Sequence, residues 1–245
     1  MSTTRRGDYG LDAPYVPVGF AAASLLGLVA AFICVALGWR SLTVLSLIIA
    51  FLFVLSAANF LFTTKRGKFS VWSELLDSLN LQGDERVLDV GCGRGAVLLL
   101  AAKHLPKGRA VGIDLWSTRD QSGNREKAAL RNAELEGVRE RVELHTGDMR
   151  RLPFPDLSFD VVTSSLAIHN IRDEKGREQA VEEIWRVTKS GGTALIADIG
   201  HTAEYARRLA TLPGASVEHR RLDWRFWYGG PHAATSLVTM RRWPG

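Results

Sequence analysis

The sequence predicts an open α/β fold preceded by a helical hairpin, on three observations. Arg86 to Val90 is an apolar run of strand character that leads into glycines at alternate positions, Gly91, Gly93 and Gly95, and then into a helical pattern from Ala96. Two later strand-like runs, Arg109 to Asp114 and Arg141 to Thr146, are each closed by an acid, Asp114 itself and Asp148 just beyond. Ahead of these, Val18 to Leu37 and Leu42 to Phe62 are uncharged and apolar, each long enough to cross a hydrocarbon core as a helix.

Taken in order, residues 1–17 are polar and irregular and read as an N-terminal arm. Tyr9, Leu11 and Tyr15 are more apolar than a linker needs, so a loose tail and a docked arm both fit. Residues 18–64 read as the hairpin. Its linker, Gly38-Trp39-Arg40-Ser41, is short enough to force a tight antiparallel pair, with Trp39 and Arg40 suited to a membrane interface. A secretory signal is the competing reading of the first run, but a second apolar run would not follow it so closely. Arg5 and Arg6 precede the first run, Lys65, Arg66 and Lys68 follow the second, and only Arg40 lies between. The positive-inside rule therefore places both termini and everything after the hairpin in the cytoplasm. Gly19, Ala23, Gly27 and Ala31 form a small-residue stripe suited to packing against Ser46, Ala50 and Ala57, or to pairing two copies of the chain. Asn59, polar within the second run, needs a partner there.

Residues 65–245 read as the α/β domain. Phe69 to Leu79 is an amphipathic helix with Phe69, Trp72, Leu75, Leu76 and Leu79 on one face. In the loop that follows Val90, glycines let the backbone turn sharply and let a ligand approach. The next helix offers free N–H groups and the positive end of its dipole. Gly91, Gly93 and Ala96 also satisfy a dinucleotide fingerprint, so NAD has to be weighed. Three acids favour S-adenosylmethionine. Asp89 can reach a cationic amino-acid moiety, Asp114 can take both ribose hydroxyls, and Asp148, in Gly147-Asp148-Met149, can accept from an adenine amino group. Cys92 reads as a small filler of the tight loop rather than a nucleophile.

Beyond Asp114, residues 115–124 form a polar loop, with Asn124 placed to cap a helix through about Glu136. Phe159 to Ser165 is the fourth strand, and Leu166 to Ile171 the loop beyond it. Arg177 to Val187 is helical, Gly191-Gly192 turns into a fifth strand from Thr193 to Asp198, and His201 to Leu212 is a further helix. Ser216 to about Trp227 and Ala234 to Arg242 then make an antiparallel pair. The aromatic group Trp224, Phe226, Trp227 and Tyr228 around Arg225 fits core, acceptor-pocket wall or membrane belt.

From Val87-Leu-Asp-Val-Gly-Cys-Gly-Arg-Gly95, Gly112-Ile-Asp-Leu115, Gly147-Asp-Met149, Leu152-Pro-Phe-Pro155 with Phe159-Asp-Val-Val162, and Arg186-Val-Thr-Lys-Ser-Gly-Gly192, the chain resembles the class I S-adenosylmethionine-dependent methyltransferases over roughly residues 68–245. The small-molecule branch, with quinone and sterol methyltransferases, is the most similar in style. The resemblance implies a Rossmann-like seven-stranded sheet in the order 3-2-1-4-5-7-6, its last strand reversed. It implies that S-adenosylmethionine is held by Asp89, Gly91, Cys92, Gly93, Gly95, Asp114, Leu115, Trp116, Gly147, Asp148, Met149 and Ser164. In open α/β sheets ligands sit where strand order reverses, here between the first and fourth strands, so His169 and Asn170, just beyond the fourth, fall where the methyl group should meet its acceptor.

His169 is the candidate base for an acceptor that must lose a proton. A reaction needing no base stays open. The expected activity is methyl transfer to a small, lipophilic acceptor at the cytoplasmic membrane face. A membrane-tethered enzyme with a water-soluble acceptor and a non-catalytic S-adenosylmethionine-binding protein are the alternatives. The formal charge of +5 comes without a Lys/Arg stripe carrying aromatics, so no nucleic-acid partner is expected. Two cysteines do not make a disulfide scaffold, and no Cys/His cluster has metal-ligand spacing.

Overall fold

The computed structural model describes residues 5–117 and 121–243. Helix α1 spans Tyr15–Ala36 and α2 spans Arg40–Phe62, each reaching two or three residues further toward its N-terminus than the apolar runs suggest. They pack antiparallel through small residues. A Cβ added to Gly27 would lie 3.0 Å from that of Ala50, and Ser24 Oγ donates to the Ala50 carbonyl at 3.1 Å. Gly27 and Ala31 are thus used inside the hairpin, whereas Gly19 faces open space. The outward faces carry large apolar side chains, among them Leu26, Phe32 and Phe51. Only 17% and 11% of the two apolar windows is buried, whereas a core helix of a soluble domain would be mostly buried.

The second helix does not stop at Phe62. A π-helical turn, Thr63–Gly67, carries it directly into α3, Lys68–Ser78. Thr-Thr-Lys-Arg-Gly contains no proline, so nothing breaks the backbone, and the wide turn absorbs the change of direction. Gly67 is required here: a Cβ would lie 1.8 Å from the Arg225 carbonyl oxygen.

The sheet has seven strands in the order β3-β2-β1-β4-β5-β7-β6, as the resemblance implies. They are β1 (Arg86–Val90), β2 (Arg109–Asp114), β3 (Val142–Thr146), β4 (Phe159–Ser165), β5 (Thr188–Asp198), β6 (Ala215–Arg221) and β7 (Ser236–Arg242). The first five are parallel and β7 runs antiparallel to both neighbours. Helices α4 (Ala96–Lys103), α5 (Glu126–Leu135), α6 (Glu174–Val187) and α7 (Thr202–Ala210) supply the crossovers. Several boundaries differ from the sequence reading. β5 starts at Thr188, and Gly191 sits inside it at φ +82 instead of before it. β6 ends at Arg221, and Trp224–Phe226 is a short 3-10 turn. α6 starts at Glu174 because Asp173 caps it, accepting from the Gly176 N–H at 2.7 Å. Asn124 does not cap α5, whose N-cap is Arg125; its side chain turns back toward Asp114.

The hairpin is bolted to the sheet domain. Asn59 finds its partners in the segment after β6: its Nδ2 donates to the Trp224 carbonyl at 3.1 Å, and its Oδ1 accepts from the Gly229 N–H at 3.2 Å. Thr63 Oγ1 donates to the Trp227 carbonyl at 2.6 Å. Three hydrogen bonds from one helix end to the backbone of one segment, each contributing about 0.5–1.5 kcal/mol, set how that segment sits on the helix. The aromatic group is not a single cluster. Phe226 is fully buried, Tyr228 faces a cavity, and Trp224 is exposed and stacked on Phe62 at 5.2 Å.

From Arg5 onward, the described part of the N-terminal arm is docked. Backbone N–H groups of Arg6 and Gly7 donate to Glu136, Asp8 pairs with Asn132 and Arg94, and Asp12 bridges to Gln121.

Candidate active site

One cavity of about 920 Å³ opens at the carboxyl ends of β1, β2 and β4. Strand order reverses between β1 and β4, so the loops there diverge and leave a crevice. Gly91 and Gly93 line it at φ +75 and +51. A Cβ on Gly91 would lie 2.3 Å from that of Ala167, and one on Gly93 would lie 2.5 Å from Gln121 Oε1, which that flexible side chain can withdraw, so at Gly93 the positive φ is the constraint. Cys92 also lines the cavity; burial pushes its thiol well above the usual range, as expected of an inert filler.

The acids are placed by the strands. The β1–β4 register sets Asp89 opposite Thr163, whose hydroxyl donates to it at 2.9 Å, while the Leu98 N–H donates to its other oxygen at 2.9 Å. Burial pushes the Asp89 carboxyl up to about 7 from a usual 3.8; Thr163 and Leu98 pull it down and the charge of Asp114 adds to the rise. Asp114 accepts from the N–H groups of Gly93 at 2.8 Å and Trp116 at 2.6 Å, and from Asn124 Nδ2 at 3.2 Å. Asp148 is gripped by the Arg150 guanidinium, which holds its carboxyl below the usual range. Asp89, Asp114 and Asp148 all line the cavity, as do Gly147, Met149 and the exposed Leu115.

Three expected cofactor contacts do not line it. Gly95, at φ +87, turns the chain into α4. Trp116 packs against the core beside β2 and donates from Nε1 to Thr146 at 2.7 Å. Ser164 is buried in β4 with an unpartnered hydroxyl, and its neighbour Ser165 faces the cavity in its place. A strand covered on both faces gives no alternation from which to phase the pleat. Thr118 to Asp120 of the polar loop lie outside the described residues.

S-adenosylmethionine fits this half of the cavity. The two glycines leave the backbone bare, Asp89 and Asp114 lie on the wall, and Asn124 Oδ1 is a buried acceptor with no hydrogen-bond partner. If an ammonium is drawn to Asp89, the ionised carboxylate is favoured. The raised pKa means folding loses stability as pH climbs from about 4 to about 7, where the unfolded acid is ionised and the folded one is not. Binding recovers that loss. The affinity for S-adenosylhomocysteine, which carries the same ammonium, is expected to rise from pH 6 to pH 8 with release of a proton. Calorimetry in two buffers of different ionisation heat reads both, and a flat affinity contradicts the assignment.

Beyond the fourth strand, His169 and Asn170 line the same cavity. His169 is held by Asp198, the last residue of β5. Its N–H donates to Oδ2 at 3.0 Å and its Nδ1 lies 2.5 Å from Oδ1. Asp198 is 1% exposed and also accepts from the Ile199 N–H. The sequence reading passed over Asp198, although it is a fourth acid at a strand end, the same signal that singled out Asp89 and Asp114. The Asp198 carboxylate beside Nδ1 favours the tautomer in which Nδ1 carries the proton.

At its other end the cavity reaches the hairpin, with walls from Val16, Phe20 and Phe60 beside Phe69, Trp72 and Tyr228. Trp72 combines core and pocket roles: it is 1% exposed and its Nε1 donates to Ser165 Oγ at 2.9 Å.

The model of a methyltransferase domain matches residues 88–196. A protein of Encephalitozoon cuniculi named as a methyltransferase is 30% identical over 161 residues, 66% of this chain and 67% of that one. The demethylmenaquinone methyltransferase of Symbiobacterium thermophilum is 33% identical over 128 residues, 51% of this chain and 47% of that protein, so the chain spans about half the length of this relative. Among solved structures, a geranyl diphosphate methyltransferase in complex with GPP and sinefungin superposes with a TM-score of 0.54 at 15% identity, covering 71% of this chain and 78% of that one. At that identity the likeness concerns the fold.

Proposed function

The chain belongs to the S-adenosylmethionine-dependent methyltransferases, and from that premise we propose that it transfers a methyl group to a small, lipophilic acceptor at the cytoplasmic face of a membrane in which its hairpin is embedded. One observation carries the reading: a single cavity runs from the glycine loop and its acids, past His169, to Phe20 and Phe60 at the base of the hairpin. A tether would need no such continuity. The names of two relatives, a demethylmenaquinone methyltransferase and a sterol 4-C-methyltransferase of Caenorhabditis elegans, accord with an apolar acceptor. The units we assign are the arm 1–17, the hairpin 18–64 and the catalytic domain 65–245.

When bound, S-adenosylmethionine supplies an electrophilic methyl group on a sulfonium centre. The chain's own residues align and exclude. Asp89, Asp114 and Asp148 would hold the cofactor's polar parts, while Gly91, Cys92 and Gly93 form the floor beneath it. Trp72, Phe60 and Phe20 keep water from the acceptor's side, which matters because a nucleophile in a dry, fixed geometry needs little further help. An acceptor carrying a proton gives it to His169 Nε2, and Asp198 stabilises the resulting imidazolium.

The membrane component is tested by impermeant thiol labelling of intact cells. Ser41→Cys, in the first turn of α2 beside the linker, is expected to label from outside, and Ser78→Cys, at the end of α3, only after permeabilisation. Labelling of both from outside, or release of the protein by carbonate, contradicts the topology.

A further inference from the structure

We propose that Lys68, Asp12 and Tyr228 form a subsite for the uncharged, oxygen-bearing head of the acceptor. The inference rests on the lipophilic-acceptor reading and adds to it where the head is held and what chemistry it has.

The three residues come from the docked arm, the first position of α3 and the segment between β6 and β7. They meet on one oxygen: Asp12 Oδ2 accepts from Lys68 Nζ at 2.6 Å and from the Tyr228 hydroxyl at 2.8 Å. All three line the cavity, next to the apolar side chains of Phe20, Phe60, Phe69 and Trp72. The Lys68 and Asp12 side chains are 6% and 16% exposed. An ion pair so deeply buried is a poor way to hold elements together, since apolar residues of the same volume serve as well or better. Its worth lies in donors and acceptors presented inside an apolar compartment.

Charge decides the ligand class. Lys68 is neutralised by Asp12, and Tyr228 is neutral because burial and the neighbouring Asp12 raise its hydroxyl well above the usual range. The cluster carries no net charge. A phosphate or carboxylate head would meet Lys68 already paired with Asp12 and would have to displace that carboxylate or be buried beside it, which is costly, and the Arg5 guanidinium, 3.6 Å from the centre of the Phe69 ring, is a further cation that could draw such a head. An alcohol, phenol or carbonyl oxygen brings no charge and accepts a hydrogen bond. Lys68 has three N–H donors and the contact with Asp12 uses one, and the Tyr228 oxygen retains lone pairs. A site built around a hydrogen bond discriminates strongly against the analogue lacking the oxygen, because its own polar groups are then left unpaired.

The test uses the full chain in detergent with S-adenosylhomocysteine present and three probes sharing one tail: 4-geranylphenol, geranylbenzene and geranyl monophosphate. Calorimetry is expected to give the phenol at least about tenfold tighter binding than the hydrocarbon and tighter binding than the phosphate. Tyr228→Phe, which removes one atom, and the double variant Lys68→Met with Asp12→Asn, which leaves no orphan charge, are expected to cut that preference to about threefold or less. Geranylbenzene binding is expected to stay as in the wild type. A preference unchanged in both variants, an equal weakening of all probes that marks a mere structural latch, or tightest binding of the phosphate overturns the proposal. If the wild type binds S-adenosylhomocysteine and none of the probes, the lipophilic-acceptor reading itself has failed and the subsite falls with it.

Discussion

His169→Ala lowers the rate of methyl transfer by about 10²–10⁴-fold, the usual contribution of a positioned general base, and leaves S-adenosylhomocysteine affinity unchanged. The separation of effects follows from the geometry. His169 sits in the loop after β4, with its ring tied to Asp198 rather than to the glycine loop. Removing the imidazole therefore takes away the proton acceptor without touching the cradle formed by Gly91, Cys92 and Gly93. Asp198→Asn tests the orienting role. The amide fills the same space, but it stabilises an imidazolium poorly and permits the wrong tautomer, so the rate falls with the cofactor affinity intact. Single-turnover rates at saturating cofactor read the first effect and calorimetry the second. Wild-type turnover in His169→Ala would mean that the acceptor needs no base.

Gly91→Ala reduces S-adenosylhomocysteine affinity by about 100-fold or more, because two costs fall on the same loop. The residue sits at φ +75, where a Cβ costs about 1–2 kcal/mol, and the added methyl would lie 2.3 Å from the Cβ of Ala167. Overpacking of this kind costs about 1–3 kcal/mol, relieved only by moving the glycine loop or the loop that carries His169. Gly137→Ala is the control. It stands at a similar φ of +70 with nothing within 4 Å of its would-be Cβ. It is expected to lose about 1 kcal/mol of stability with no change in affinity. Wild-type affinity in Gly91→Ala, as in the control, would contradict the close-approach role given to Gly91.

Much of this architecture was legible because its signals are local. A strand that runs into alternate glycines, and acids at successive strand ends, need no knowledge of what folds against them; they placed Asp89, Asp114 and Asp148 at one cavity, while the sheet order came from the family resemblance. Asp198 obeyed the same rule and was overlooked because its role depends on a loop some thirty positions earlier. The Ser164 and Ser165 pair marks a different limit, since a one-residue phase error in a strand buried on both faces leaves no trace in hydrophobicity. The least legible parts were contacts between distant segments. Asn59 was recognised as a polar residue in need of a partner, but nothing in the sequence pointed to Trp224 and Gly229. Lys68 read as a charge flanking an apolar run, and its meeting with Asp12 and Tyr228 depends on the arm docking over the cavity.

The central claim is that the methyl group goes to an acceptor reached through the hairpin end of the cavity. It is tested by incubating the full-length protein in detergent with methyl-labelled S-adenosylmethionine and a whole-cell extract, then separating lipid and aqueous fractions. The account predicts label in the lipid fraction, dependent on the protein and lost in His169→Ala. Label confined to the aqueous fraction would contradict it and reduce the hairpin to a tether.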